Sequence, residues 1–264
     1  MTENQLKSKI ERSSAPDFGD ILSKSFELFK KSWEQTLYHA LVTVAVVLPV
    51  IIITYIPYVL FIFYLSSVEN AGHYNEFNYM DQHDPELVIP MLIVYFLIVF
   101  LVILLVQAIA YGIIAHYFKV LKKIDTGSLE ETGGYFSCLK GNYMKLFVMS
   151  LATFGISILA TLLCFFPIIY VMVPLQLIVV FFAFNPGLSV SSVIKMSFKL
   201  GNKYWLTIFG LIIISSMIAQ IGILLCFVGL FFTAYFVHIP MYYVYKDTIG
   251  FEDPTDKNLL ETDL

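Results

Sequence analysis

Three histidines and three glutamines are the residues whose types could do chemistry inside the apolar stretches of this chain: His39, His116, His238, Gln107, Gln176 and Gln220. Imidazoles at a similar depth could bind a metal ion or hydrogen-bond a lipid phosphate. None of the three stands in an HxxxH or HExxH pair, and no carboxylate accompanies them in the apolar stretches. The expectation is therefore hydrogen bonding between helices or snorkelling to the interface for the histidines, and interhelical fastening for the glutamines. A P-loop, a nucleophile elbow and a metalloprotease helix are all absent, so no catalytic residue, metal or cofactor is assigned. Between 66 and 86, His73, Glu76, Asp81, His83 and Asp84 could hold a divalent cation, although a solvated acidic loop is the simpler expectation. Cys164 and Cys226 fall in apolar stretches and Cys138 in a polar one, so no disulfide framework is expected.

These residues have to be positioned by apolar segments. At 58% hydrophobic and 14% charged, with a mean hydropathy of +0.78, the chain has more apolar surface than one soluble core could bury. Apolar runs occupy 37–65, 87–118, 146–165, 167–184, 206–226 and 227–245. A helix crosses the hydrocarbon layer with roughly 20 such residues, so six spanning helices are expected. The first two runs are longer than needed and should tilt, kink at Pro49 and Pro57, or project beyond the membrane. No Asp, Glu, Lys or Arg lies inside any run, which argues against carboxylate-coupled transport, ion pumping and voltage sensing.

All sixteen Lys and Arg residues fall in four polar stretches, 1–36, 119–145, 185–205 and 246–264, while 66–86 carries five acids and no base. The positive-inside rule then puts both ends of the chain in the cytoplasm. A net charge of −4 without a basic stripe gives no support to nucleic-acid binding. The first 36 residues lack an apolar segment with a small-residue cleavage site, so a cleaved signal peptide is not expected.

A further pattern precedes the odd-numbered spans. In 17–37, Phe18, Ile21, Leu22, Phe26, Phe29 and Trp33 recur at helical spacing, with Lys24, Lys30 and Lys31 on the other face. Ser25, Phe26, Leu28, Lys31 and Trp33 match Ser197, Phe198, Leu200, Lys203 and Trp205 at identical offsets. A weaker match relates Ser137, Gly141, Asn142 and Leu146 to Ser197, Gly201, Asn202 and Leu206. The expected architecture is all-α: a polytopic membrane protein whose six transmembrane helices form three parallel repeats. Each unit, about 15–118, 129–184 and 187–246, is an interfacial amphipathic helix plus a transmembrane hairpin. A disordered cytoplasmic tail (1–14) and an acidic one (247–264) would flank the membrane domain. Lys24, Lys30, Lys31, Trp33, Lys195, Lys199, Lys203 and Trp205 are the candidate headgroup contacts at the inner leaflet.

The segments SFELFKKSWEQTL and SFKLGNKYWLTIF, with the closing FVHIPMYYVYKD, resemble bacterial six-helix membrane proteins of the glycerophosphoryl diester phosphodiesterase membrane-domain type. The resemblance covers most of 15–246. It implies an inner-membrane location and uncharacterised relatives without the catalytic barrel; only nineteen residues follow Tyr245, so no catalytic residue carries over. The function expected is a non-enzymatic role in envelope or lipid homeostasis. The partners would be anionic inner-leaflet lipids or another membrane protein; a small-molecule or lipid transporter and a lipid-modifying enzyme are the alternatives. Reporter fusions test the topology directly: those placed after Asn70 should report the outside and those at Leu264 the cytoplasm.

Overall fold

The computed structural model describes residues 1–72, 85–163, 166–224 and 228–251, and within these it is all-helical, with no strand. The helices are α1 (Glu3–Arg12), α2 (Phe18–Gly72), α3 (Pro85–Thr126), α4 (Tyr143–Leu162), α5 (Phe166–Phe184), α6 (Val190–Lys203), α7 (Trp205–Leu224), α8 (Val228–Thr233) and α9 (His238–Thr248). Five contain segments long and apolar enough to cross a membrane: Phe18–Leu60, Leu92–Thr126, Tyr143–Leu162, Phe166–Phe184 and Trp205–Gly222. The candidate cation ligands His73 to Asp84 lie outside the described residues.

The last apolar run departs from expectation. Instead of one helix over 227–245, α8 gives way to a 3-10 turn, Ala234–Val237, and α9 restarts at His238. Pro240 accounts for the restart, because it has no N–H for the Phe236 carbonyl and its ring would clash with the preceding turn. In the first turn of a new helix neither defect matters. α7 and α8 approach closely: a Cβ on Gly222 would lie 2.6 Å from the Gly229 backbone.

The three proposed units also differ from one another. Residues 17–37 are not a separate interfacial helix; they run unbroken into the first apolar run as one 55-residue helix, about 80 Å long. Its apolar face and the next span share a helical phase with no glycine or proline between 20 and 48 to break it. The segment 135–142 is a series of turns, with Gly141 in the left-handed region at φ 77°, and α4 starts only at Tyr143. In the third unit the amphipathic helix is separate, as α6, and ends at Tyr204 before α7 begins.

Nor is the start of the chain a disordered tail. Thr2 and Gln5 form a capping box, and Leu6 and Ile10, four residues apart, make a short apolar stripe that is fully buried. α6 clamps this helix from the side. Ser192 donates to Glu3, Lys199 pairs with Glu11 at 2.5 Å, and Lys203 donates to the carbonyls of Ile10, Glu11 and Ser13 at 2.7, 2.9 and 2.9 Å. Lys203 thus caps the open C-terminal end of α1, where a cation also faces the negative end of the helix dipole. The boundary of the final tail moves as well, since Phe251 packs against Phe184 at 4.8 Å and beneath the Lys122 ammonium at 5.2 Å.

Two outcomes follow for the clamp. Lys203→Met should remove the ammonium from three carbonyls, leaving Ile10 and Ser13 their hydroxyl donors Ser13 Oγ and Tyr204 Oη, lower the unfolding free energy by about 1–3 kcal/mol, and admit protease between Arg12 and Phe18. The Lys199 ammonium holds the Glu11 carboxyl below the ordinary glutamate range. That contribution is complete above the unfolded value and is lost as pH falls through the lower folded one, so cleavage at this site should rise only in acid.

Candidate functional site

α2 and α3 pack together so that His39 and His116, at 0% and 3% exposure, face each other with Nε2 and Nδ1 2.9 Å apart. The other nitrogen of each ring meets a backbone carbonyl: His39 Nδ1 lies 2.6 Å from Gln35 O, and His116 Nε2 lies 3.1 Å from Gly133 O. Gly133 sits at φ 74°, a conformation that favours glycine and turns its carbonyl toward the ring. Carbonyls only accept, so the three contacts together call for three N–H protons. A neutral pair of imidazoles holds two, and one added proton would fill all three.

Hydroxyl and aromatic groups enclose the pair. Tyr117, Tyr135 and Tyr235 bring their ring centroids within 5.0, 4.9 and 5.9 Å of the His39 ring. Tyr117 shares a 2.8 Å bond with Thr36, and Tyr235 one of 2.5 Å with Thr43. No carboxylate among the described residues bonds to either imidazole. The interhelical hydrogen bonding expected of these two histidines is therefore present, and they bond to each other.

The remaining sequence candidates scatter. Gln107 donates to Tyr111 at 2.9 Å and to Thr153 at 3.5 Å, and Tyr111 meets Thr153 at 3.0 Å, which fastens α3 to α4. Gln220 lies on the exposed side of α7. His238 stands apart from the other two histidines; its ring meets Phe118 and Tyr235 edge-on, and together with Gln176 it lines a cavity of about 350 Å³. Among the described residues no group of three or more His, Cys, Asp or Glu side chains could hold a metal ion.

The basic candidates divide in two. Lys24 pairs with Asp20 at 2.5 Å and Asp247 at 3.6 Å, while Lys199 and Lys203 serve the α1 clamp. Lys30, Lys31 and Lys195 are exposed. Trp33 is 44% exposed and stacks on Phe232, whereas Trp205 donates to the Tyr170 carbonyl at 3.0 Å and stacks on Phe209.

Several residues that matter here had not been singled out. Asp125 accepts from Tyr242 at 2.7 Å, Tyr243 at 3.0 Å and Lys246 at 2.5 Å, tying the end of α3 to α9. The i, i+4 spacing of Tyr242 and Lys246 puts both on one helix face, a signal present in the sequence. Gly133, Tyr135, Thr36 and Thr43 carry no such signal. Asn185 follows the end of α5, and its amide donates to Tyr245 at 2.7 Å.

His116→Ala should delete two of the three imidazole contacts and leave a void beside His39. A loss of about 2–4 kcal/mol is expected, read as a fall in the thermal unfolding midpoint in lipid nanodiscs. In comparisons with known proteins, no family model, no curated protein and no solved structure matches this chain.

Proposed function

We propose that this chain is a non-enzymatic, multi-pass protein of a bacterial inner membrane, with both ends cytoplasmic, that acts by binding anionic lipid at the inner leaflet. The resemblance to membrane domains of the glycerophosphoryl diester phosphodiesterase type agrees with this reading. A sixth crossing, if made, would use the broken segment α8 to α9. One observation carries the proposal. Lys30, Lys31 and Lys195 are exposed and take part in no hydrogen bond or ion pair among the described residues, with exposed Trp33 beside the first two. Free ammonium groups next to an interfacial aromatic suit the phosphate layer of an anionic membrane.

The alternatives draw less support. A transporter would gather Gln107, Gln176, Gln220 and His238 around one cavity, and only Gln176 and His238 share one. A histidine-based lipid enzyme would need an imidazole poised beside a carboxylate, whereas His39 and His116 spend their ring nitrogens on each other and on carbonyls.

Each lysine near a charged surface contributes about 1 kcal/mol, so replacing Lys30, Lys31 and Lys195 together by Gln should weaken phosphatidylglycerol retention roughly 100-fold. Native mass spectrometry from nanodiscs measures it. Retention equal to that of the unmodified protein, or an equal preference for phosphatidylcholine, would overturn the reading.

A further inference from the structure

We propose that the cavity walled by α3, α4, α5 and α9 binds the uncharged, hydroxyl-bearing end of a neutral lipid, held by His238 and Gln176. Three observations carry this. First, the His238 imidazole is half-buried, meets the Phe118 and Tyr235 rings in T-shaped contacts, and makes no hydrogen bond among the described residues. In apolar surroundings that offer no water, polar groups seek partners, so an unbonded imidazole facing a cavity points to a missing one. Second, the Gln176 carboxamide lines the same cavity and is likewise without a hydrogen bond among the described residues. The other polar groups there are already engaged: Tyr111 with Gln107 and Thr153, and Ser157 with the Thr153 carbonyl.

Third, the walls select the ligand. Ile114, Ile168, Met172, Leu175 and Val179 complete the lining, and no Asp, Glu, Lys or Arg belongs to it. A phosphate or ammonium group would be buried there without a counter-charge, at high cost. Imidazole and carboxamide each offer one side a donor and the other an acceptor, so a hydroxyl can donate to one and accept from the other. A volume of about 350 Å³ far exceeds one water and falls at the small end of ligand pockets, enough for a glycerol-sized end and the first carbons of a chain. The acyl chains would leave past Ile168 and Met172, which are half-buried on the part of α5 whose neighbours Ile169 and Tyr170 are exposed. The site does not depend on the basic surface proposed above, and each can fail alone.

The test uses the full chain in nanodiscs and a diacylglycerol carrying a diazirine in one acyl chain. Saturable labelling of peptides from α3 or α5 is expected. Unlabelled dioleoylglycerol should compete, while dioleoylphosphatidic acid, which adds charge, and triolein, which lacks the hydroxyl, should not. Gln176→Leu, close to isosteric, and His238→Phe should each cut labelling about ten-fold, with phosphatidylglycerol retention and the thermal midpoint not reduced. Unchanged labelling in Gln176→Leu, non-saturable labelling, or competition by phosphatidic acid or triolein equal to that by dioleoylglycerol would overturn the proposal.

Discussion

His39 and His116 meet where the two longest helices pack together, and much of the surrounding polar structure is arranged to keep both rings bonded. α2 supplies one imidazole and the Gln35 carbonyl; α3 supplies the other; the turn at Gly133 closes the far end. Tyrosines from α3, the 135–142 segment and the 3-10 turn then fill the space around the rings, two of them tied to α2 through Thr36 and Thr43. Apolar surroundings offer these groups no water, so each must find its partner inside the protein. That constraint fixes the register of α2 on α3, and the 3-10 turn before α9 is anchored to the same place.

The same accounting sets the cavity apart. Around His39, both imidazoles and the Tyr117 and Tyr235 hydroxyls have partners, although the buried Ser32 hydroxyl has none; His238 and Gln176 make no hydrogen bond among the described residues. The contrast between two histidine environments in one bundle, more than any single distance, marks the second as a place for something the chain does not itself supply.

Much of the architecture was legible beforehand because it follows from local chemistry. Apolar run lengths and the absence of charge identified the five membrane-compatible helices. What misled the reading was also local. Residues 1–14, polar and charged, read as a disordered tail, yet Leu6 and Ile10 are enough to order a helix once α6 lies alongside. The matching residues around Ser25 and Ser197 begin similar sequences, but one continues into α2 and the other stops at Tyr204. The segment that begins the weakest match, 137–142, forms turns.

The sequence alone determined hydropathy, charge placement and helix propensity, since these belong to single residues and their near neighbours. Tertiary structure decided which polar groups meet. His39 and His116 are separated by 77 positions, Lys203 lies 190 residues from the helix it caps, and Gln176 shares a cavity with a histidine on another helix. Such pairings depend on the rotation and register of packed helices, and a shift of one residue turns a side chain by about 100° around its axis. No local pattern encodes that, which is why Lys203, read as a headgroup contact, became a helix cap and two of the three histidines came to face each other.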